Sequence, residues 1–208
     1  TKSMRFLLSA ACVLSVITGK VQADERAAPL KAGIIGCDAH ALPWTKIINA
    51  ADAPGELANM TVVAAYAGGS EDIPQSIQIR DSSIDGIVAL GVEMVDSIDE
   101  LIKKVDVVMI LSIDGRTHLE QVRPAFAAGK PVYVDKPIAG SLVDAIKSFQ
   151  LAKEHNVPCF SSSSLRFAAR TLNAGKDPAL GEIVGCDQYA PCALEPHHPD
   201  FFWYGIHG

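Results

Sequence analysis

The run Val105–Ser112, VDVVMILS, is apolar at almost every position. A strand with one wet face alternates apolar and polar residues, so a run this continuous must be covered on both sides. Met60–Ala67 (MTVVAAYA) is another apolar, β-branched run, and Lys31–Cys37 is a shorter one. Val92–Ser97, Val132–Asp135 and Val157–Ser161 read as further short strands. Helical patterns lie between them, at about Leu42–Ala51, Ile98–Lys104 and His118–Ala128, the last with Gly129 as its stop. Ser141 is placed to cap an amphipathic helix reaching about His155, with Leu142, Ala145, Ile146, Phe149 and Ala152 at helical spacing. Buried strands alternating with helices predict an α/β fold with a doubly wound parallel sheet of the Rossmann type.

The composition supports a sizeable core: 49% of the 208 residues are apolar. The net charge is −6 and the 18 basic residues are scattered, so no basic stripe offers itself to nucleic acid.

Lys2 and Arg5 precede an apolar stretch, Phe6–Thr18, which is too short to span a bilayer comfortably. Val21-Gln22-Ala23 then presents small residues at the positions a signal peptidase reads. Residues 1–23 are therefore expected to be a Sec-type signal peptide, with export to the periplasm or outside the cell and no stable membrane span after cleavage. Four cysteines would remain: Cys37, Cys159, Cys186 and Cys192. None has metal-ligand spacing, and no metal is expected. Export permits a Cys186–Cys192 disulfide, with free buried thiols as the other reading. His197, His198 and Asp200 cluster between prolines, but adjacent histidines point apart and an irregular loop is expected there.

The first strand leads into Gly36-Cys37-Asp38-Ala39-His40-Ala41. A dinucleotide fingerprint would carry Gly-x-Gly-x-x-Gly at this strand-to-helix turn. Gly36 and Ala41 suit the first and third positions. Asp38 departs at the second, where backbone must approach a pyrophosphate. One escape is that Asp38 caps the helix with its carboxylate turned away, leaving the helix N–H groups for the phosphate. The second strand ends Ala65-Tyr66-Ala67-Gly68-Gly69-Ser70, without the acidic residue that usually takes the ribose hydroxyls. Glu71 and Asp72 come late and Arg80 is some way off, so NAD and NADP both stay open.

The segment Gly129–Pro137, GKPVYVDKP, ends a helix, runs through a strand and delivers Asp135, Lys136 and Pro137 at its carboxyl end. Ligands of open parallel sheets bind at that end of the strands. The proline keeps Lys136 out of helical geometry.

Taken in order, Gly33–Gly36, Val105 through His118, Ala127–Pro131, Asp135-Lys136-Pro137 and Ser164-Leu165-Arg166-Phe167 resemble the glucose–fructose oxidoreductase / inositol dehydrogenase (Gfo/Idh/MocA) family, and most closely its secreted bacterial branch. The resemblance runs from about Lys31 to the last residue, with Asp-Lys-Pro where the family usually has Glu-Lys-Pro. It implies a Rossmann domain over residues 30–163. Residues 164–208 would be a linker and the start of an α+β domain with a mostly antiparallel sheet, Ile183–Ala190 being its first strand. Such a second domain needs roughly another 150 residues, so the chain reads as truncated, and a homo-oligomer is expected of the full-length protein.

The chemistry implied by the resemblance is hydride transfer between NAD or NADP and a carbon of a small sugar or polyol. Lys136 would touch the reacting hydroxyl and help move its proton, provided its surroundings lower its pKa. Gly36, Cys37, Asp38, Ala39, His40, Ser112, His118 and Asp135 would join Lys136 in holding the cofactor. The family's Asp-x-Gly-x-His pattern falls on Trp203–His207, so His207 matches the histidine while Trp203 replaces the aspartate. His207 remains a candidate general base. Trp203, Tyr204 and Arg166 are candidate substrate contacts, the aromatic pair by stacking on a sugar ring. Two alternatives stand beside this one. The first is a carbohydrate-binding relative that has lost the cofactor. The second is a redox-cycling sugar-modifying enzyme with trapped NAD.

Overall fold

Six parallel strands form one sheet in the order β3-β2-β1-β4-β5-β6. They are β1 (Leu30–Ile35), β2 (Met60–Tyr66), β3 (Glu93–Val95), β4 (Val107–Ile110), β5 (Val132–Val134) and β6 (Cys159–Ser161). The helices are α1 (Ala41–Ile48), α2 (Pro74–Ala89), α3 (Ile98–Lys104), α4 (His118–Ala127), α5 (Leu142–Glu154) and α6 (Ala169–Ala174). This computed structural model describes residues 28–185 and 187. The signal-peptide reading, the Cys186–Cys192 pair, half of the Ile183–Ala190 strand, the His197–Asp200 cluster and Trp203, Tyr204 and His207 lie outside the described residues. Ile183, Val184 and Gly185, which are described, form no strand.

The apolar runs are buried on both faces, as their composition requires. On one face Ile35, Ala64, Val108, Ile110 and Val134 pack against Leu101 of α3 and Val122 and Phe126 of α4. On the other, Ala32, Ile34, Val62, Met109 and Leu111 pack against Ile48 of α1 and Ile87 of α2. Neighbours in sequence thus serve opposite cores, because successive strand side chains point to opposite faces.

The Ser141 cap and the Gly129 stop follow the sequence, whereas Ser97, read as the end of a strand, instead caps α3. Ser141 accepts the Asp144 N–H at 3.1 Å and starts α5; Ser97 accepts the Glu100 N–H at 3.2 Å and starts α3. Gly129 follows the end of α4 at φ +69°, the left-handed conformation that favours glycine. One helix is a finding of the structure alone. The buried positions of α2 are Ser76, Ser83 and Ile87, so its inner stripe is mostly serine and carries little hydrophobic periodicity.

Candidate functional site

The sheet order reverses between β1 and β4: β2 and β3 lie to one side of β1, β5 and β6 to the other side of β4. Doubly wound sheets bind ligands in the crevice at such a reversal, outside the carboxyl ends of the strands. Here that places Gly36, which follows β1, against Ser112, which follows β4. Gly36 has φ +93°, and a Cβ on it would lie 2.3 Å from the Ser112 backbone nitrogen. Only glycine fits, because Ser112 fills the space a side chain would take; Gly36 is the tight-turn glycine of a dinucleotide fingerprint, while Asp38 stands at the position of pyrophosphate approach.

Asp38 does not cap α1. Its main-chain oxygen accepts the Ala41 N–H at 3.0 Å, while its carboxylate crosses to neighbouring loops. There it accepts the Ser76 hydroxyl at 3.1 Å and the Ile113 N–H at 2.8 Å. The first residue flanking α1 is His40, whose side chain makes no capping bond. Asp38 is fully buried, and burial pushes its carboxyl above the usual range, against the hydrogen bonds from Ile113 and Ser76. The escape offered by the sequence is half right: the carboxylate turns away from the turn, but other elements hold it. Cys37 is buried beside it with its thiol pushed up to about 12, mainly by desolvation, so it is an inert packing residue. Cys159 is also a free thiol. Ala39 completes the turn and is exposed.

At the carboxyl end of β5, Asp135 is nearly buried and collects three donors. The Lys136 N–H donates at 2.8 Å, the Tyr133 hydroxyl reaches it at 3.3 Å, and His40 Nδ1 forms a short hydrogen bond with its other oxygen. His40 stacks parallel on Trp44 with ring centroids 4.9 Å apart. Trp44 meets Tyr133 at 5.5 Å. Lys136 is half-buried, and the Lys136–Pro137 peptide bond is cis. The structure therefore brings His40, after β1, against Asp135, the residue that precedes Lys136 after β5.

His118 opens α4 behind the loop that carries Ser112. It is fully buried, and its ring Nε2 bonds the Ser112 main-chain oxygen at 2.8 Å. A carbonyl can only accept, so Nε2 carries the proton. Burial holds its pKa below the usual histidine range, against the main-chain groups of Ser112 and Ile138 and the Asp135 charge, and Nδ1 is buried without a well-formed hydrogen bond. Ser112 exchanges hydrogen bonds with Gln121 at 2.9 and 3.0 Å. Arg166 is exposed and lines an apolar groove with Trp44, Tyr133, Phe160 and Phe167, rather than the crevice at β1 and β4.

Two arginines flank the loop after β2, a feature that reading along the sequence missed. Arg80, twelve residues past Gly68, returns to donate to the Gly68 carbonyl at 3.1 Å and pairs with Glu71 at 2.6 Å. Arg116, on the loop after β4, grips Asp72 at 2.9 and 3.0 Å and also Asp114. Among the described residues no group of His, Cys, Asp and Glu is arranged to hold a metal ion, and no helix is long and apolar enough to cross a membrane.

A parallel sheet of order 3-2-1-4-5-6, a glycine turn after β1 and an Asp-Lys-Pro segment after β5 define a Rossmann-type dinucleotide-binding domain. Residues 30–163 match the model of the Gfo/Idh/MocA oxidoreductase family, NAD-binding Rossmann fold, and the chain belongs to that family. It is 30% identical over 131 residues to YhhX, an uncharacterized oxidoreductase of Escherichia coli K12, covering 56% of this chain and 37% of YhhX. The chain thus spans well under two thirds of the curated relatives it matches. Its fold resembles an oxidoreductase from Agrobacterium radiobacter in complex with NAD+, L-tartaric acid and magnesium (TM-score 0.52, 18% identity, 71% of this chain and 41% of that one). It also resembles GenD2 from gentamicin A biosynthesis in complex with NAD (TM-score 0.57, 17% identity, 72% and 39%).

Proposed function

We propose that this chain is the cofactor-binding part of an NAD(P)-dependent oxidoreductase that moves a hydride to or from a hydroxyl-bearing carbon of a small sugar or polyol. The observation that carries this reading is the hydrogen bond of His40 to Asp135 across the end of β4, which ties the glycine turn to the Asp-Lys-Pro segment. The turn after β1 carries the tight-turn glycine of a dinucleotide fingerprint, and Lys136, whose main-chain N–H is held by the buried Asp135 carboxylate, follows β5 at the carboxyl edge of the same sheet. The nicotinamide supplies the hydride acceptor or donor. Lys136 is placed to hold or move the proton of the substrate hydroxyl, an assignment that rests on the family pattern and on its position after β5. Tartrate, a polyhydroxy acid, in the Agrobacterium neighbour supports a hydroxylated substrate. NAD and NADP remain alternatives.

Export through the segment 1–23, a homo-oligomeric full-length protein, and roles for His207, Trp203 and Tyr204 at the substrate are part of the same proposal. They rest on the sequence. A second reading, a carbohydrate-binding relative without cofactor, is favoured by Asp38 standing where the fingerprint wants glycine.

Calorimetric titration of the full-length mature protein with NAD(H) and NADP(H), after denaturing a sample to look for retained nucleotide, separates the readings. Micromolar binding followed by Lys136-dependent turnover in a sugar and polyol screen supports the oxidoreductase. Copurified, tightly held NAD points to a redox-cycling enzyme. No binding of either dinucleotide sinks both in favour of the second reading.

A further inference from the structure

In the sheet, β1 lies between β2 and β4. Any side chain that joins the loop after β2 to the loop after β4 must therefore cross above the carboxyl end of β1. That is the place where a dinucleotide lies in this architecture.

Two such links exist here. The Ser70 hydroxyl donates to Asp114, and Asp72 is held in two-pronged fashion by Arg116 at 2.9 and 3.0 Å. A third contact reinforces them from below: Asp38, on the β1 turn itself, takes the Ser76 hydroxyl from α2 and the Ile113 N–H from the β4 loop. The inner link is deeply placed, with Ser70 5% and Asp114 0% exposed. The outer link is wet, with the Asp72 side chain 60% exposed.

We propose that Ser70–Asp114 and Asp72–Arg116 form a strap across the nucleotide crevice, which parts when the dinucleotide seats. The role rests on the dinucleotide-binding reading above. The turn after β1 carries the fingerprint's tight-turn glycine; the loops above it are joined. The nucleotide then binds only the fraction of molecules in which the strap is open, and its apparent affinity is reduced by that fraction. The wet outer pair is cheap to break. The inner bond supplies more of the closure because it is shielded from water, although Asp114 keeps its Arg116 donors when it parts.

The test is calorimetric titration of the full-length mature protein with NAD+ and NADP+, comparing wild type with Ser70→Ala, Asp72→Ala and their combination. Glu71→Ala is the control, since Glu71 is a neighbouring exposed acid paired to Arg80 and outside the strap. The strap predicts that Ser70→Ala, which changes no charge, tightens binding several-fold, and that the double variant tightens it by roughly ten- to fiftyfold. Glu71→Ala should change it much less. Equal affinities in wild type and double variant overturn the strap while leaving the dinucleotide reading intact. Equal tightening by Glu71→Ala and Asp72→Ala, with none from Ser70→Ala, also overturns it, because charge alone would then explain the gain. Absence of binding by every form, the double variant included, overturns the dinucleotide reading and the strap with it.

Discussion

His40, on the turn after β1, hydrogen-bonds Asp135 at the end of β5, two strands away. The bond passes over the end of β4, so it ties the glycine turn directly to the residue that precedes Lys136. Asp135 has little exposure, and each of its oxygens has a donor. Losing His40 leaves a buried carboxylate oxygen unpaired and removes the parallel stack on Trp44. His40→Ala is expected to lower stability by about 1–3 kcal/mol in denaturant unfolding. A loss below a few tenths of a kcal/mol would mean the bond is not maintained in solution.

Asp38 and Asp114 respond to pH with opposite signs. Burial raises the Asp38 pKa in the folded state. Its contribution to stability is then fully present below the ordinary carboxylate range and is lost as pH rises through its higher folded value. Asp38→Asn keeps an acceptor for the Ile113 N–H and can exchange a hydrogen bond with the Ser76 hydroxyl, while removing the charge. The variant is expected to be at least as stable as wild type at pH 7, with any advantage shrinking toward pH 4. Chemical unfolding at a series of pH values checks this, and a wild type that outlasts Asp38→Asn at pH 7 contradicts it.

Burial also pushes Asp114 upward, but hydrogen bonds from Arg116 and Ser70 outweigh it and hold its pKa below the usual range. Its contribution is present above the ordinary carboxylate pKa and is lost as pH falls through the lower folded value. Arg116→Ala removes the only cation paired to this buried carboxylate among the described residues, leaving the Ser70 hydroxyl and the residue-116 N–H as donors, and is expected to cost about 3 kcal/mol at pH 7. Asp72→Ala removes only an exposed partner of the same arginine and should cost under about 1 kcal/mol. Thermal or denaturant unfolding of the two variants side by side decides it: equal losses would show that the inner pair has no privileged role.

The central strands were legible because each is apolar on both sides, and Val105–Ser112 announced this in eight letters; the edge strands β3 and β6, with Glu93 and Phe160 exposed, were read from their shorter apolar runs. Ser141 and Gly129 were legible because a cap and a helix stop have local chemistry. The helix α2 was not, since its inner face uses Ser76 and Ser83 in place of aliphatic residues. The crevice was half legible. Gly36, Asp135 and Lys136 stand in recognisable local patterns, but the partners of Asp38 come from positions 76 and 113, and only the folded sheet order brings these beside the first turn. Arg80 illustrates the same limit: twelve residues from Gly68 along the chain, one hydrogen bond from it in space.

Two glycines with similar backbone conformations should behave very differently on substitution. Gly129 sits at φ +69° with nothing within 4 Å of where a Cβ would stand. Gly129→Ala therefore meets only the left-handed strain and is expected to cost about 1 kcal/mol. Gly36, at φ +93°, would drive its Cβ to 2.3 Å from the Ser112 nitrogen and 2.6 Å from its Cα. Those are main-chain atoms of a loop fixed by β4, His118 and Gln121, so no side chain can swing aside to relieve the overlap. Gly36→Ala adds overpacking to strain and should cost at least about 3 kcal/mol. Because the displaced backbone carries Ser112 and the turn after β1, nucleotide affinity should fall along with stability. If Gly36→Ala unfolds at the same denaturant concentration as Gly129→Ala, the close packing of the β1 turn on the β4 loop is refuted.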